Sequence, residues 1–182
     1  MNEETLISEC IKGNYNAQKS LYTTHSAKMM GVCMRYASCV PEAEDILQES
    51  FIKVFSKLDT FKRTGPLGAW IRRIVVNTAL QRIRDNKHYR MHVDIEKAEI
   101  HLEVSDQVLA EMGAKEIMKK IQKLPPGFRT VFNLYAIEGY THPEIGKELG
   151  ISEGTSKSQY SRARAILRKL IEEDEIINEK AI

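Results

Sequence analysis

Thirty consecutive residues, Thr141 to Leu170, read THPEIGKELGISEGTSKSQYSRARAILRKL and limit the possible fold more than any other part of the chain. A short helix is expected from about Pro143 to Leu149, with Ile145 and Leu149 turned inward. Gly146 is small enough for a close crossing, and Gly150 suits the left-handed residue that a sharp turn requires. Ile151 would plug the turn and Ser152 would cap the next helix, whose Tyr160, Ala163, Leu167 and Leu170 face the core. Two helices joined this tightly form a helix-turn-helix. The opposite face carries Lys157, Ser161, Arg164 and Arg168 at i, i+4, i+7 and i+11, a basic stripe. In such a motif the second helix enters the major groove N-terminus first. Glu153, Ser156, Lys157 and Gln159 are therefore expected at base edges, with Arg162 and Arg164 at phosphates. Ser156 is unusual, because that position is ordinarily apolar.

Helical periodicity extends through the rest of the chain. From Glu42 to Leu58, Ala43, Ile46, Leu47, Phe51, Val54, Phe55 and Leu58 share one face, with Pro41 at the entry. The other face holds Asp45, Gln48, Glu49 and Ile52; an isoleucine beside three polar acceptors suits a protein partner better than water. Asp59 to Gly65 reads as a loop. A second helix starts near Pro66, with Leu67, Trp70, Ile71, Ile74 and Val75 inward and Arg73, Asn77, Gln81 and Arg84 on a polar stripe able to follow a nucleic-acid backbone. Trp70, on the apolar stripe, is expected in the core rather than on DNA. Upstream, apolar groups suggest helices broken near Gly13-Asn14 and again near Thr23. Downstream, a helix with Ile117, Ile121 and Leu124 stops at Pro125-Pro126-Gly127, and another with Phe128, Val131, Phe132 and Tyr135 ends at Gly139. Few prolines and glycines and 42% apolar residues agree with an all-α chain that buries a core.

The net charge of +2 hides a pattern. Residues 1–93 carry 14 Lys and Arg against 9 Asp and Glu, and residues 94–111 carry 1 against 6. Residues 112–171 then carry 11 against 5. Two basic blocks flank an acidic joint, so the expected architecture is two small helical domains, 1–93 and 112–182, joined by an acidic linker at 94–111. Cys10, Cys33 and Cys39 make no C-x-x-C pair and are odd in number, which argues against a disulfide framework or thiolate zinc site and for a reducing compartment. There is no signal-peptide run and no stretch of eighteen apolar residues, so a soluble, cytoplasmic protein without membrane contact of its own is expected.

The strings LPPGFRTVFNLYAIEGYTHPEIGKELGISEGTSKSQYSRARAILRKL, PEAEDILQESFIKVFSKLDTF and AWIRRIVVNTALQRIR, with the weaker ECIKGNYNAQKSLY near the start, together resemble the extracytoplasmic-function (group IV) sigma factors of the sigma-70 family. These are the specificity subunits of bacterial RNA polymerase. The resemblance implies that Asp45, Gln48, Glu49 and Ile52 dock on the clamp helices of the largest core polymerase subunit, with the flap as a further contact. It also implies that the loop from Phe61 through Lys62 and Arg63 to Leu67, with Arg73, Asn77, Gln81 and Arg84, opens the minus-10 element and holds an unpaired base. Glu153, Ser156, Lys157, Gln159, Ser161, Arg162, Arg164 and Arg168 would then read the minus-35 element. Gln81 stands where the family commonly has an acidic residue, and Arg72 and Val76 also depart from its pattern. The linker would thread the RNA exit path and mimic RNA, and an anti-sigma factor, often membrane-bound, would hold the free protein inactive.

An enzyme is not expected. His25, His88, His92, His101 and His142 form no H-E-x-x-H pattern and no phosphate-cradling glycine loop is present, so neither cofactor nor metal is implied; His88 and His92 lack further ligands. A stand-alone dimeric helix-turn-helix regulator would explain Thr141 to Leu170 but leave the Asp45 to Ile52 face without a purpose. An anti-sigma protein is disfavoured because the zinc-binding His and Cys pattern is missing.

Overall fold

The computed structural model describes residues 2–85 and 114–179. All regular elements among them are helical, and they cluster into two compact units that divide between Ile83 and Arg84. The acidic segment 94–111, His88, His92 and His101 lie outside the described residues. No helix of the described residues is long and apolar enough to cross a membrane.

In the first unit, Asn2 caps α1 (Glu3–Ile11) by accepting from the Thr5 amide at 2.8 Å. The chain turns at Gly13, whose φ of +81° is open to glycine at little cost. Asn14 then caps α2 (Tyr15–Tyr36) through the amides of Asn16 and Ala17. The expected break near Thr23 does not occur. Leu21, Met29, Val32, Cys33 and Tyr36 continue one buried stripe in phase, and the Thr24 hydroxyl donates to the Ser20 carbonyl at 2.8 Å instead of opening a turn.

Helix α3 (Val40–Lys57) has Pro41 in its first turn and buries Ala43, Ile46, Leu47, Phe51 and Val54. Leu58–Thr60 tightens into a 3-10 turn. After an irregular segment comes α4 (Leu67–Asp85), which buries Leu67, Ile71, Val75 and Ala79 but leaves Trp70 and Ile74 half-buried. Trp70 is thus a wall of the core rather than its centre, tilted against Phe61 at 5.4 Å between ring centroids.

In the second unit, α5 (Ala114–Gln122) is followed by α6 (Pro126–Phe132), and Asn133–Ile137 widens into a π turn before Gly139 at φ +77°. Helices α7 (His142–Leu149) and α8 (Glu153–Glu179) complete it. Ile121, Leu124, Phe132, Ala163 and Leu167 form the core, and Ile117, Phe128, Ile137, Tyr160 and Ile166 pack around it. Each of these helices buries a single stripe, so none is stable alone and the opposite faces remain for function.

Candidate functional site

Three exposed surfaces result from this packing. The first lies on α3, where Asp45, Gln48 and Ile52 are exposed and Ile52 reaches 70% of its free surface. Glu49 sits on the same face but is half-buried and engaged within the unit. Its Oε1 receives Lys53 Nζ at 2.6 Å and its Oε2 receives Arg82 Nε at 2.8 Å. Those hydrogen bonds, Lys53 foremost, hold the Glu49 carboxyl below its usual range. Arg82 Nη1 also lies 3.5 Å from Asp45 Oδ2, so Asp45 remains largely in water yet within reach of a cation.

The second surface joins the loop before α4 to the outer face of that helix. Lys62, Arg63, Thr64, Gly65 and Pro66 are exposed, while Phe61 is half-buried against Trp70. Leu67 is buried in the core and drops out of the expected strand-binding stretch, because it is the first anchor of the α4 stripe. Arg63 has a φ of +56°, a left-handed backbone that is costly for a residue with a Cβ and holds the loop in a particular bend. Its guanidinium lies 3.7 Å from Glu4 on α1. Arg73, Asn77 and Gln81 are exposed in line along α4, and Arg84 is half-buried in the last turn.

The third surface is the helix-turn-helix. Thr141 and Glu144 cap α7 reciprocally: the Thr141 amide donates to Glu144 Oε2 at 2.8 Å and the Glu144 amide to Thr141 Oγ1 at 3.4 Å. Gly150 ends the helix at φ +68°, and a Cβ on Gly146 would meet the Ile151 carbonyl oxygen at 2.8 Å. Ser152 accepts from the Thr155 amide at 2.9 Å and starts α8.

The buried seam of α8 runs through Ser156, Gln159, Ala163, Leu167 and Ile171, with Tyr160 and Leu170 half-buried at its margin. This rotation corrects two expected base contacts. Ser156 is 0% exposed and Gln159 4%, so neither side chain reaches a groove. Ser156 Oγ instead bonds His142 Nδ1 at 2.9 Å, and Gln159 lies against Gly127 of α6. The His142 ring stacks on Tyr135 at 4.3 Å, and burial, followed by Lys157, lowers its pKa from the usual 6.5.

Toward solvent, Glu153 pairs with Lys157 at 2.6 Å and Arg168 with Glu172 at 2.7 Å. The Arg164 guanidinium lies 5.8 Å from the Tyr160 ring centre. Ser161 is exposed, with Arg162 and Arg164 half-buried beside it. The outward N-terminal turns of α8 thus offer a Glu-Lys pair and two half-buried arginines, an arrangement suited to phosphates and base edges.

The sequence matches two families, sigma-70 region 2 over residues 21–89 and sigma-70 region 4 over residues 114–167. It is 33% identical over 174 residues to the ECF RNA polymerase sigma factor SigW of Bacillus subtilis (strain 168), spanning 90% of this chain and 93% of SigW. The chain belongs to the ECF sigma factors. The ECF RNA polymerase sigma-E factor of Haemophilus influenzae is 27% identical, over 94% of this chain and 96% of its own. Among solved structures, CnrH in complex with the cytosolic domain of CnrY aligns over 93% of this chain and 97% of CnrH, with 25% identity and a TM-score of 0.48.

As a member of this family the chain is a transcription regulator that directs RNA polymerase to promoters. Sequence reasoning on this sigma factor missed Lys53, Thr78 and Arg82, which act on the α3 face from within. No local pattern marks a bridge across 33 residues. It also missed the role of His142, whose partner Ser156 is 14 residues away. The Thr141-x-x-Glu144 capping box was available as a local signal.

Proposed function

We propose that this sigma factor divides its work among the three surfaces. The α3 face of Asp45, Gln48 and Ile52 docks on the clamp helices of core RNA polymerase. The loop Phe61 to Pro66, with Arg73, Asn77, Gln81 and Arg84, engages the minus-10 element and holds its opened strand. Glu153, Lys157, Ser161, Arg162, Arg164 and Arg168 contact the minus-35 element, and the flap of the polymerase is the second partner. Residues 1–93 and 112–182 act as the two promoter-binding domains, and 94–111 as the acidic connection. The protein does no covalent chemistry and works in the cytoplasm, with binding free energy opening the DNA. An anti-sigma factor holds it inactive, a reading that rests on the family resemblance.

The observation that carries this reading is the exposed Ile52 flanked by Asp45 and Gln48, next in sequence to a helix that presents Arg73, Asn77 and Gln81 to solvent. A DNA binder that worked alone would have no use for the first of these faces. Specific sites on DNA gain only about 1–3 kcal/mol per good base contact, so the isolated chain should bind promoters weakly. The test is binding of the purified chain to bacterial core RNA polymerase, followed by mapping of transcript starts on a genomic DNA library. Starts sharing a two-part upstream sequence support the reading. No binding, with the polymerase active beside another sigma factor, would leave a helix-turn-helix regulator as the better account.

A further inference from the structure

Glu49 has both carboxylate oxygens occupied from inside its own unit, by Lys53 and by Arg82. Each cation also reaches further. Lys53 Nζ lies 3.4 Å from Thr78 Oγ1, and Arg82 Nη1 lies 3.5 Å from Asp45 Oδ2. Thr78, Lys53, Glu49, Arg82 and Asp45 thereby form one continuous chain of polar contacts that ties two turns of α3 to two turns of α4.

The register on α4 gives this chain its meaning. Thr78 and Arg82 are one helical turn apart, and each directly follows a residue of the exposed stripe, Asn77 and Gln81. Since an α-helix turns by about 100° per residue, whatever holds the azimuth of Thr78 and Arg82 also sets the direction of Asn77 and Gln81. Half-exposed ion pairs contribute little to stability, but charge-assisted bonds with a shared, doubly bonded carboxylate are directional. Asp45, Gln48 and Ile52 remain outward for a protein partner, whereas Glu49 is spent within the fold.

We propose that Glu49, Lys53 and Arg82 form a strut that sets the rotation of α4 against α3, so that Glu49 and Arg82 are positioning residues for strand opening and not contacts to polymerase. This rests on the sigma-factor reading above. The strut explains why a carboxylate on the docking face points its oxygens at its neighbours, and it gives Arg82 a task although it lies beside the polar stripe and not on it.

A double-mutant cycle on the full chain tests it, with core polymerase affinity and open-complex yield at saturating polymerase measured separately. Arg82→Gln and Glu49→Gln should each lower open-complex yield about fivefold with core affinity kept within about twofold, and the double variant should be no worse than Glu49→Gln alone. Arg82→Lys should restore part of the yield. If Glu49→Gln weakens core binding tenfold or more while Arg82→Gln does not, or if the two losses multiply in the double variant, Glu49 is a contact and the strut is wrong. A general loss of folding would lower both readouts together, which also overturns it. The unmodified chain is measured first: its failure to bind core polymerase or to initiate would overturn the sigma reading itself, whereas its success with multiplying losses overturns the strut alone.

Discussion

Ser156 puts a hydroxyl where a helix-turn-helix ordinarily buries an apolar side chain, and His142 makes that tolerable by accepting or donating across 2.9 Å. A buried polar atom without a partner is destabilising, so Ser156→Ala, which strands the imidazole nitrogen, should cost about 1 kcal/mol. Amide hydrogen exchange along α8 reads this locally; protection equal to that of the unmodified chain would show that the bond contributes nothing. The same pair has a pH signature. His142 has its pKa lowered in the fold by burial and then Lys157, with Glu153 opposing. The unfolded chain therefore takes up the proton more readily than the folded one. The stability it contributes is complete above the ordinary histidine value of 6.5 and is lost as pH falls through the lowered folded value. Exchange protection in α8 should thus drop as the pH is taken below the ordinary histidine value of 6.5, and His142→Gln should remove much of that drop. An unchanged drop in the variant would place the acid sensitivity on other groups.

At the scale of the element, the α7–α8 turn depends on two glycines for different reasons. Gly150 is needed for its left-handed φ, and alanine there should cost about 1 kcal/mol. Gly146 is needed for space. A Cβ would stand 2.8 Å from the Ile151 carbonyl oxygen, a backbone atom that cannot swing aside, and Gly146→Ala should cost about 2 kcal/mol or more. Thermal unfolding of the two variants should rank Gly146→Ala as the more damaging; the reverse order would mean that the turn relaxes easily. Both glycines were legible in the sequence, as were Ser152 as a cap and the helix of Val40–Lys57, because turn chemistry and apolar spacing act within a few residues. The expected break near Thr23 failed because a threonine inside a helix can bond that helix, as the neighbouring Thr24 does to Ser20, as well as end it.

At the scale of the whole molecule, each unit carries its own exposed polar face, so damage to one should spare the other. Gln48→Ala with Ile52→Ala should reduce core polymerase binding and leave duplex binding by the second unit unchanged. Lys157→Ala with Arg164→Ala should lower promoter affinity and reduce the magnitude of its log-log salt slope by about 1 for each phosphate contact removed, with polymerase binding kept. Titration of both double variants against core polymerase and against promoter DNA at several salt concentrations checks the division. If both variants weaken the same step, the division is wrong.

The sequence alone determined the all-helical character, the helix-turn-helix with its glycine turn, and which faces of α3 and α4 meet solvent. Spacing, caps and turn residues specify these locally. Tertiary packing decided the rest. The seam of α8 is shared by a marginal Tyr160 and a buried Ser156, and apolar spacing alone favoured the larger ring; the packing of the second unit rotated Ser156 and Gln159 inward, where Ser156 bonds His142 and Gln159 packs beside Gly127. Likewise Glu49 reads as one more acceptor on an outer face until Arg82, 33 residues away, is brought to its carboxylate. A side chain's secondary-structure face follows from its neighbours in sequence. Its bonding partner follows from which helices the core brings together.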